Sequence, residues 1–484
     1  MSNAVSTPDR TWLKPALLGV GLLTLYRVLA LHWGQLDLFV DETQYWFWGQ
    51  ELAFGYYSKP PMIGWVIRAF VEVGGSDAAF WVRLPAPLFH AATAVILGAI
   101  AREHIGHRAA IATALGYVTM PVITVGSTLV STDTIMFPFL ALALGGYLRL
   151  AITPSRNLAL FTGAMLGLAF MSKYAAIYYV LCAGLVALAL PLERLRSRDY
   201  GLILLAFLIA ISPNVLWNVA NGFSTLQHTM DNADWVRDPS KRAGLNITGL
   251  TEFFALQFVV MGPVLFSALL LMGWQAIRGQ LTLIQVTLLL FALPIIGIVC
   301  LQALLSEAYA NWAAAGTIAG VVAVMSWLIE RPKWMRISFW INGTISVLLP
   351  LLTLFAGSLS FGGDRLLFER YVGLDEMSEE IFTIARDTGQ KDIVAFNRDL
   401  LANLFYTAKG RDFTIYAGPF EGRAPHHYAL KHAFDGMAET VLFIEKEGRS
   451  PPCPSDTAIE IESPNGSYQD RVYIAYVLDG ACLK

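Results

Sequence analysis

The chain has 484 residues and a net charge of −3, with an isoelectric point near 6.3, and it is 55% hydrophobic but only 15% charged. Soluble domains carry about 25% charged residues, so this composition and a mean hydropathy of +0.53 place the chain among multi-span membrane proteins. No basic domain is available to neutralise phosphates along a duplex, which excludes a nucleic-acid partner.

The opening tail, MSNAVSTPDRTWLK, lacks the shape of a signal peptide, and the apolar stretch after it lacks a small-residue cleavage site, so an uncleaved first span is expected. A helix needs about 20 apolar residues to cross the hydrocarbon layer. Runs of that kind fall near 15–33, 83–101, 109–127, 132–151, 157–172, 175–191, 200–217, 252–275, 282–303, 309–329 and 336–357, which predicts a bundle of about eleven transmembrane helices. Arginines and lysines mark every second connection: Arg102 and Arg108, Arg149 and Arg156, Arg194, Arg196 and Arg198, Arg278, then Arg331, Lys333 and Arg336. With Arg10 and Lys14 these assign the N-terminus to the cytoplasm and the C-terminus to the outside.

The long, chemically rich connections then share the outer face: 34–82, 127–133, Lys173–Tyr174, 218–251 and 306–311. Within the first, TQYWFWGQELAFG and PPMIGWVIRAFVEV are too short to span and rich in aromatics, so helices lying in the membrane interface are expected, with Tyr45, Trp46 and Trp48 as anchors at headgroup depth. From about residue 362 the pattern changes. DEMSEEIFTIARDTG reads as an amphipathic helix, and DIVAF, FTIYA, TVLFIEK, AIEIE and YIAYVL read as short strands. This divides the chain into a membrane domain, 1–361, and a separate extracytoplasmic α/β domain, 362–484. No internal repeat is visible, unlike the two related halves of many transporters. Cys182 and Cys300 lie in apolar runs, whereas Cys453 and Cys482 lie in the polar tail, where an oxidising compartment would make them a candidate disulfide.

Several outer-face residues have the chemistry of a site. Asp41 and Glu42 follow the first span; they read either as a solvated helix start, favoured by the helix dipole, or as carboxylates facing a water-filled cavity. Asp133, in STLVSTDTIMFPF, opens another apolar helix, where Ser131, Thr132 or Asp133 itself could be the N-cap. Lys59 precedes Pro60 and Pro61, which stiffen its approach, and Lys173 sits between two apolar runs; each is either a snorkelling lysine or a cation for an anionic, phosphate-bearing ligand. Arg237, Lys241 and Arg242 read as a solvated surface or as headgroup contacts. No His/Cys cluster with ligand spacing is visible and the scattered acids do not specify a cation, so no cofactor and no metal ligand set are expected, and a divalent cation stays open as an alternative that no ligand motif supports.

The Asp41–Glu42 pair, Tyr45, the Lys59–Pro60–Pro61 triplet, Arg83, Asp133 and Lys173–Tyr174 together resemble the GT-C glycosyltransferases of the protein mannosyltransferase and lipid A aminoarabinose transferase type. SPNVLWNVANGFSTLQH at 212–228 and EAYANW at 307–312 are similar to further blocks of the bacterial branch, which includes galacturonic acid transferases of lipopolysaccharide, and the likeness covers about 360 residues. The resemblance implies a polyprenyl-phosphate sugar donor, inversion at the anomeric carbon, and chemistry on the periplasmic face of the bacterial inner membrane. In that scheme Asp41 is the general base, Glu42 either supports Asp41 or engages Lys59, and Asp133 orients acceptor or sugar. Lys59, Lys173, Tyr174, Arg83 and His228 hold the donor phosphate, and Tyr45, Tyr57 and Asn311 contact substrate. One departure is Ser58, where these relatives commonly carry an acid. The acceptor expected is a lipid A or lipopolysaccharide-type glycolipid, handled by a monomer in the bilayer. The alternatives are a protein hydroxyl as acceptor, or a transporter of a lipid-linked sugar; the concentration of charge at outer helix ends favours the enzyme.

Overall fold

A computed structural model describes residues 11–190, 195–232, 245–360, 362–363 and 365–483. Arg10, Arg194, Arg237, Lys241 and Arg242 lie outside the described residues. The chain divides into two compact units: Met1–Leu31, Ser58–Ile63 and Arg83–Pro350 form the first, and His32–Tyr57, Gly64–Val82 and Leu351–Lys484 the second.

The first unit is helical. Among the described residues, six helices are long and apolar enough to cross a membrane: Leu13–Trp33, Ala79–His104, Thr132–Ile152, Ser197–Ala220, Leu283–Leu305 and Pro332–Phe355. The first of them leaves Leu18, Leu22 and Leu25 exposed on its surface. The shorter helix Ala315–Leu328 is apolar all round and buried over its whole length, which makes it the centre of this unit. The run 252–275 is not one straight span as expected. It breaks into Ile247–Val260 and Pro263–Ile277, bent by 114°. Gly262 holds φ +90° at the corner and Pro263 opens the next helix; a Cβ on Gly262 would fall 2.0 Å from Asn342 Oδ1, while Asn342 Nδ2 donates to the Met261 carbonyl the break leaves over. Similarly, 109–127 breaks at Met120, which is pushed to ψ 138° by the following Pro121. Arg27 answers that break from the first helix. Buried to 2% exposure, it donates to Val118 O (2.6 Å), Thr124 Oγ1 (3.0 Å), Ser346 Oγ (2.9 Å) and Ser127 Oγ (3.1 Å).

The second unit contains a five-stranded mixed sheet in the order β2-β1-β3-β5-β4, built from β1 (Asp392–Ala395), β2 (Thr414–Ala417), β3 (Thr440–Lys446), β4 (Ile459–Ile461) and β5 (Tyr473–Asp479). β1 runs parallel to β2 and β3, and β5 runs antiparallel to β3 and β4. All five strands stand where the short apolar, β-branched and aromatic runs placed them, and the amphipathic helix forms over Leu374–Asp387. Cys453 and Cys482 are joined as a disulfide, with Cα atoms 6.3 Å apart.

Most of 34–82 belongs to this same unit, not to the helical one. Val40 shares a core with Leu374, Ile381 and Leu442, and Asp37 Oδ2 accepts the Leu374 N–H at 2.8 Å, satisfying the start of that helix. The aromatics expected as headgroup anchors are therefore internal. Trp46 and Trp48 are 2% and 1% exposed; Trp46 Nε1 donates to Asp77 Oδ1 at 2.8 Å, and Trp48 stacks on Tyr56 at 4.9 Å. Large rings bury more apolar area against other rings than at a headgroup boundary, and that gain decides their place.

Candidate active site

Asp41 stands in the first turn of the helix Val40–Gln50. Phe39 is extended, and the Glu42 carboxylate reaches back to accept its N–H at 3.0 Å, which closes the helix start. Glu42 is buried, so its local task is structural, while Asp41 keeps its side chain 48% exposed. A guanidinium meets it there. Arg398 Nη2 donates to Asp41 Oδ1 at 2.5 Å, and Arg398 Nε donates to Gln44 Oε1 at 2.9 Å. Burial works against the Arg398 charge, but the charge of Asp41 and its hydrogen bond outweigh it and hold the guanidinium above its ordinary range. Asp41 Oδ2 has no hydrogen bond among the described residues.

The first unit holds a second carboxylate in another setting. Ser131 is the N-cap of Thr132–Ile152, accepting the Thr134 N–H at 3.3 Å, so Asp133 is released from capping. Lys173 Nζ donates to Asp133 Oδ1 at 2.8 Å and to Oδ2 at 2.7 Å, and Asn311 Nδ2 donates to Oδ2 at 3.0 Å. Lys173 takes this position because it is the extended residue (φ −157°, ψ 131°) between the helix Arg156–Ser172 and the turn Tyr174–Ile177. Beside it the Tyr174 hydroxyl donates to Asn214 Oδ1 at 2.9 Å and accepts from Asn218 Nδ2 at 3.3 Å, two residues one helical turn apart on Ser197–Ala220.

Of the other expected residues, Lys59 is half-buried, Arg83 is buried, and His228 lies on the helix Ser224–Asn232, partly buried. Tyr45 and Tyr57 are both buried, Tyr45 against Trp48 at 5.4 Å, and the Tyr57 hydroxyl donates to the Ala424 carbonyl at 2.8 Å. Ring packing holds Tyr45 as it holds Trp46, and the Ala424 hydrogen bond satisfies the buried Tyr57 hydroxyl. Sequence reasoning missed Arg398, Gln44 and Arg27. Arg398 follows Asn397, a helix N-cap, and only the N-cap signal was visible locally.

The sequence model of the dolichyl-phosphate-mannose-protein mannosyltransferases matches residues 58–217. The chain is 36% identical over 475 residues to the lipid A galacturonosyltransferase RgtD of Rhizobium johnstonii, covering 97% of this chain and 99% of that protein. Its fold is similar to that of ArnT from Cupriavidus metallidurans in the apo state, with a TM-score of 0.64 at 13% identity over 95% of this chain and 97% of the other. Against ArnT bound to undecaprenyl phosphate the TM-score is 0.59 at 14% identity, over 96% and 98%. An identity of that size carried over nearly the whole of both sequences means that this multi-pass membrane protein belongs to the GT-C glycosyltransferase family of the protein mannosyltransferase and lipid A transferase type.

Proposed function

We propose that this glycosyltransferase moves a galacturonosyl unit from a polyprenyl-phosphate donor to lipid A, on the periplasmic face of the bacterial inner membrane. The observation that carries the reading is the end-to-end identity with a lipid A galacturonosyltransferase; the family description adds a lipid-phosphate-linked sugar as donor. About eleven crossings, with the N-terminus cytoplasmic and the α/β domain periplasmic, agree with the alternation of arginine-rich connections.

In this reading the acceptor hydroxyl oxygen attacks the anomeric carbon from the face opposite the phosphate. The bond from that carbon to the phosphate oxygen breaks, its electron pair leaves with the polyprenyl phosphate, and the proton passes to Asp41. Asp41 suits a general base because it is half-exposed and one of its oxygens is uncommitted; such assistance contributes about 10²–10⁴-fold. Polyprenyl phosphate needs cationic stabilisation as it departs, the role of Lys59, Lys173 and Arg83, with Tyr174 and His228 as further hydrogen-bond donors. Asp133 holds Lys173 and Asn311 in register, and Glu42 holds the turn that presents Asp41.

Membranes containing wild type or Asp41→Asn, supplied with radiolabelled polyprenyl-phosphate galacturonic acid and purified lipid A, test this directly. Labelled lipid A is expected from the wild type, and a rate about 10²–10⁴-fold lower from the variant. Equal rates remove Asp41 as the base, and label passing to protein instead of lipid A replaces the acceptor.

A further inference from the structure

The C-terminal domain has no task in the mechanism above, yet it supplies the cation that meets Asp41. Arg398 is the first residue of the helix Arg398–Thr407, whose start is fixed by Asn397 accepting the N–H groups of Asp399 (2.8 Å) and Leu400 (3.2 Å). Its guanidinium forks over the first turn of the Asp41 helix, onto Asp41 Oδ1 and Gln44 Oε1. These acceptors are three residues apart and share one helix face. Two fixed donors at that spacing are a property of a planar guanidinium that an ammonium does not have.

The rest of the same helix, and Lys409 just past its end, hold the fork in register. The Tyr406 ring meets Trp46 edge-on at 4.9 Å, Phe405 packs on Phe47 at 4.9 Å, and Lys409 donates to Gln50 Oε1 at 3.2 Å, so the two helices lie side by side and run in the same direction. Asp77 ties the far end: its side chain accepts from Trp46 and Lys409, and its carbonyl accepts from the Tyr406 hydroxyl at 2.7 Å. Tyr428 packs beside this helix against Phe405 and Phe47, fully buried, and its hydroxyl has no hydrogen-bond partner among the described residues.

We infer that Arg398 is a positioning residue for sugar transfer: it pins Asp41 by one carboxylate oxygen and leaves the other to take the acceptor proton, so the C-terminal domain completes the catalytic helix. An isolated surface ion pair contributes little, but a base displaced by about 1 Å costs roughly 10² in rate. The inference rests on Asp41 being the base.

The test uses the full-length protein in liposomes, with initial rates measured over a range of polyprenyl-phosphate galacturonic acid and lipid A concentrations. Arg398→Gln is expected to lower kcat about 10²-fold with both KM values within about threefold of wild type. Arg398→Lys, which reaches one partner, recovers part of the loss, and Gln44→Leu, which keeps the Asp41 contact, loses less than Arg398→Gln. Added to Asp41→Asn, Arg398→Gln causes no further loss, because it acts through the group already removed. The inference is overturned by a wild-type kcat in Arg398→Gln, by a defect confined to the lipid A KM, or by an equal further loss in the Asp41→Asn background. Should Arg398→Gln fail to fold, the Arg398→Lys and Gln44→Leu rates decide, and wild-type values in both overturn it. A wild type inactive on this donor and acceptor, or a fully active Asp41→Asn, removes the proposed function first and this inference with it.

Discussion

Asp41 and Asp133 both stand in the first turn of a helix, and they are held in opposite ways. Asp133 is 11% exposed, both of its oxygens accept from Lys173, and Asn311 adds a third donor. Asp41 is 48% exposed and engages a single guanidinium through one oxygen. A carboxylate with both oxygens engaged and little exposure works as a joint between segments, whereas one with an uncommitted oxygen near water can exchange a proton. The capping chemistry sets up this difference: Ser131 caps for Asp133, and Glu42 caps for Asp41, so neither aspartate is consumed by its own helix.

Four outcomes sharpen or break that contrast, taken from the largest effect. Asp41→Asn lowers transfer about 10²–10⁴-fold while leaving thermal unfolding in detergent near that of wild type; a strong loss of stability instead would make Asp41 a joint as well. Lys173→Met leaves the Asp133 charge buried without its partner and destabilises by about 3–5 kcal/mol, read by the same unfolding assay. Asp133→Asn with Lys173→Met costs less than the sum of the two single changes, since they remove one interaction. Cys453→Ser with Cys482→Ser lowers stability by about 2–4 kcal/mol, and mass spectrometry of the unreduced wild type finds the two cysteines linked.

The smallest effect concerns pH. Burial pushes the His427 imidazole down to about 3, with His432, Lys431 and His426 adding to it, and the ring sits against Phe47 and Trp48 at 5.8 Å. A histidine held neutral in the fold but protonated when unfolded stabilises the native state above its ordinary value of 6.5, and that contribution is lost as pH falls from 6.5 toward 3. Stability of the second unit is therefore expected to decline across that window, with a shallower slope in His427→Phe. An unchanged slope would show that the imidazole is not excluded from water.

Much of this was legible in the sequence, for identifiable reasons. β1 and β3 are short, continuous apolar runs buried along their length, β5 alternates over its first half, and the Leu374–Asp387 helix has a clean apolar face, so local pattern and burial agree. Asp41, Asp133 and Lys173 were visible because charge is costly beside apolar helices. Their partners are another matter. Arg398 lies 357 positions from Asp41, and Asn311 lies 178 from Asp133, so tertiary packing alone brings them together. Tyr45, Trp46 and Trp48 were expected at headgroups because an aromatic cluster near a span has the same composition whether it meets headgroups or other rings of its own unit. Arg27 lies inside an apolar run whose average hides it, and its need for four acceptors emerges only where the Met120 break leaves carbonyls over.

The most direct test of the account is the mass of lipid A from cells that lack this protein and are then supplied with wild type or Asp41→Asn at matched membrane levels. The account predicts that wild type restores a lipid A species heavier by one hexuronic acid and that Asp41→Asn does not. Full restoration by Asp41→Asn, or an unchanged lipid A mass with wild type, would contradict it.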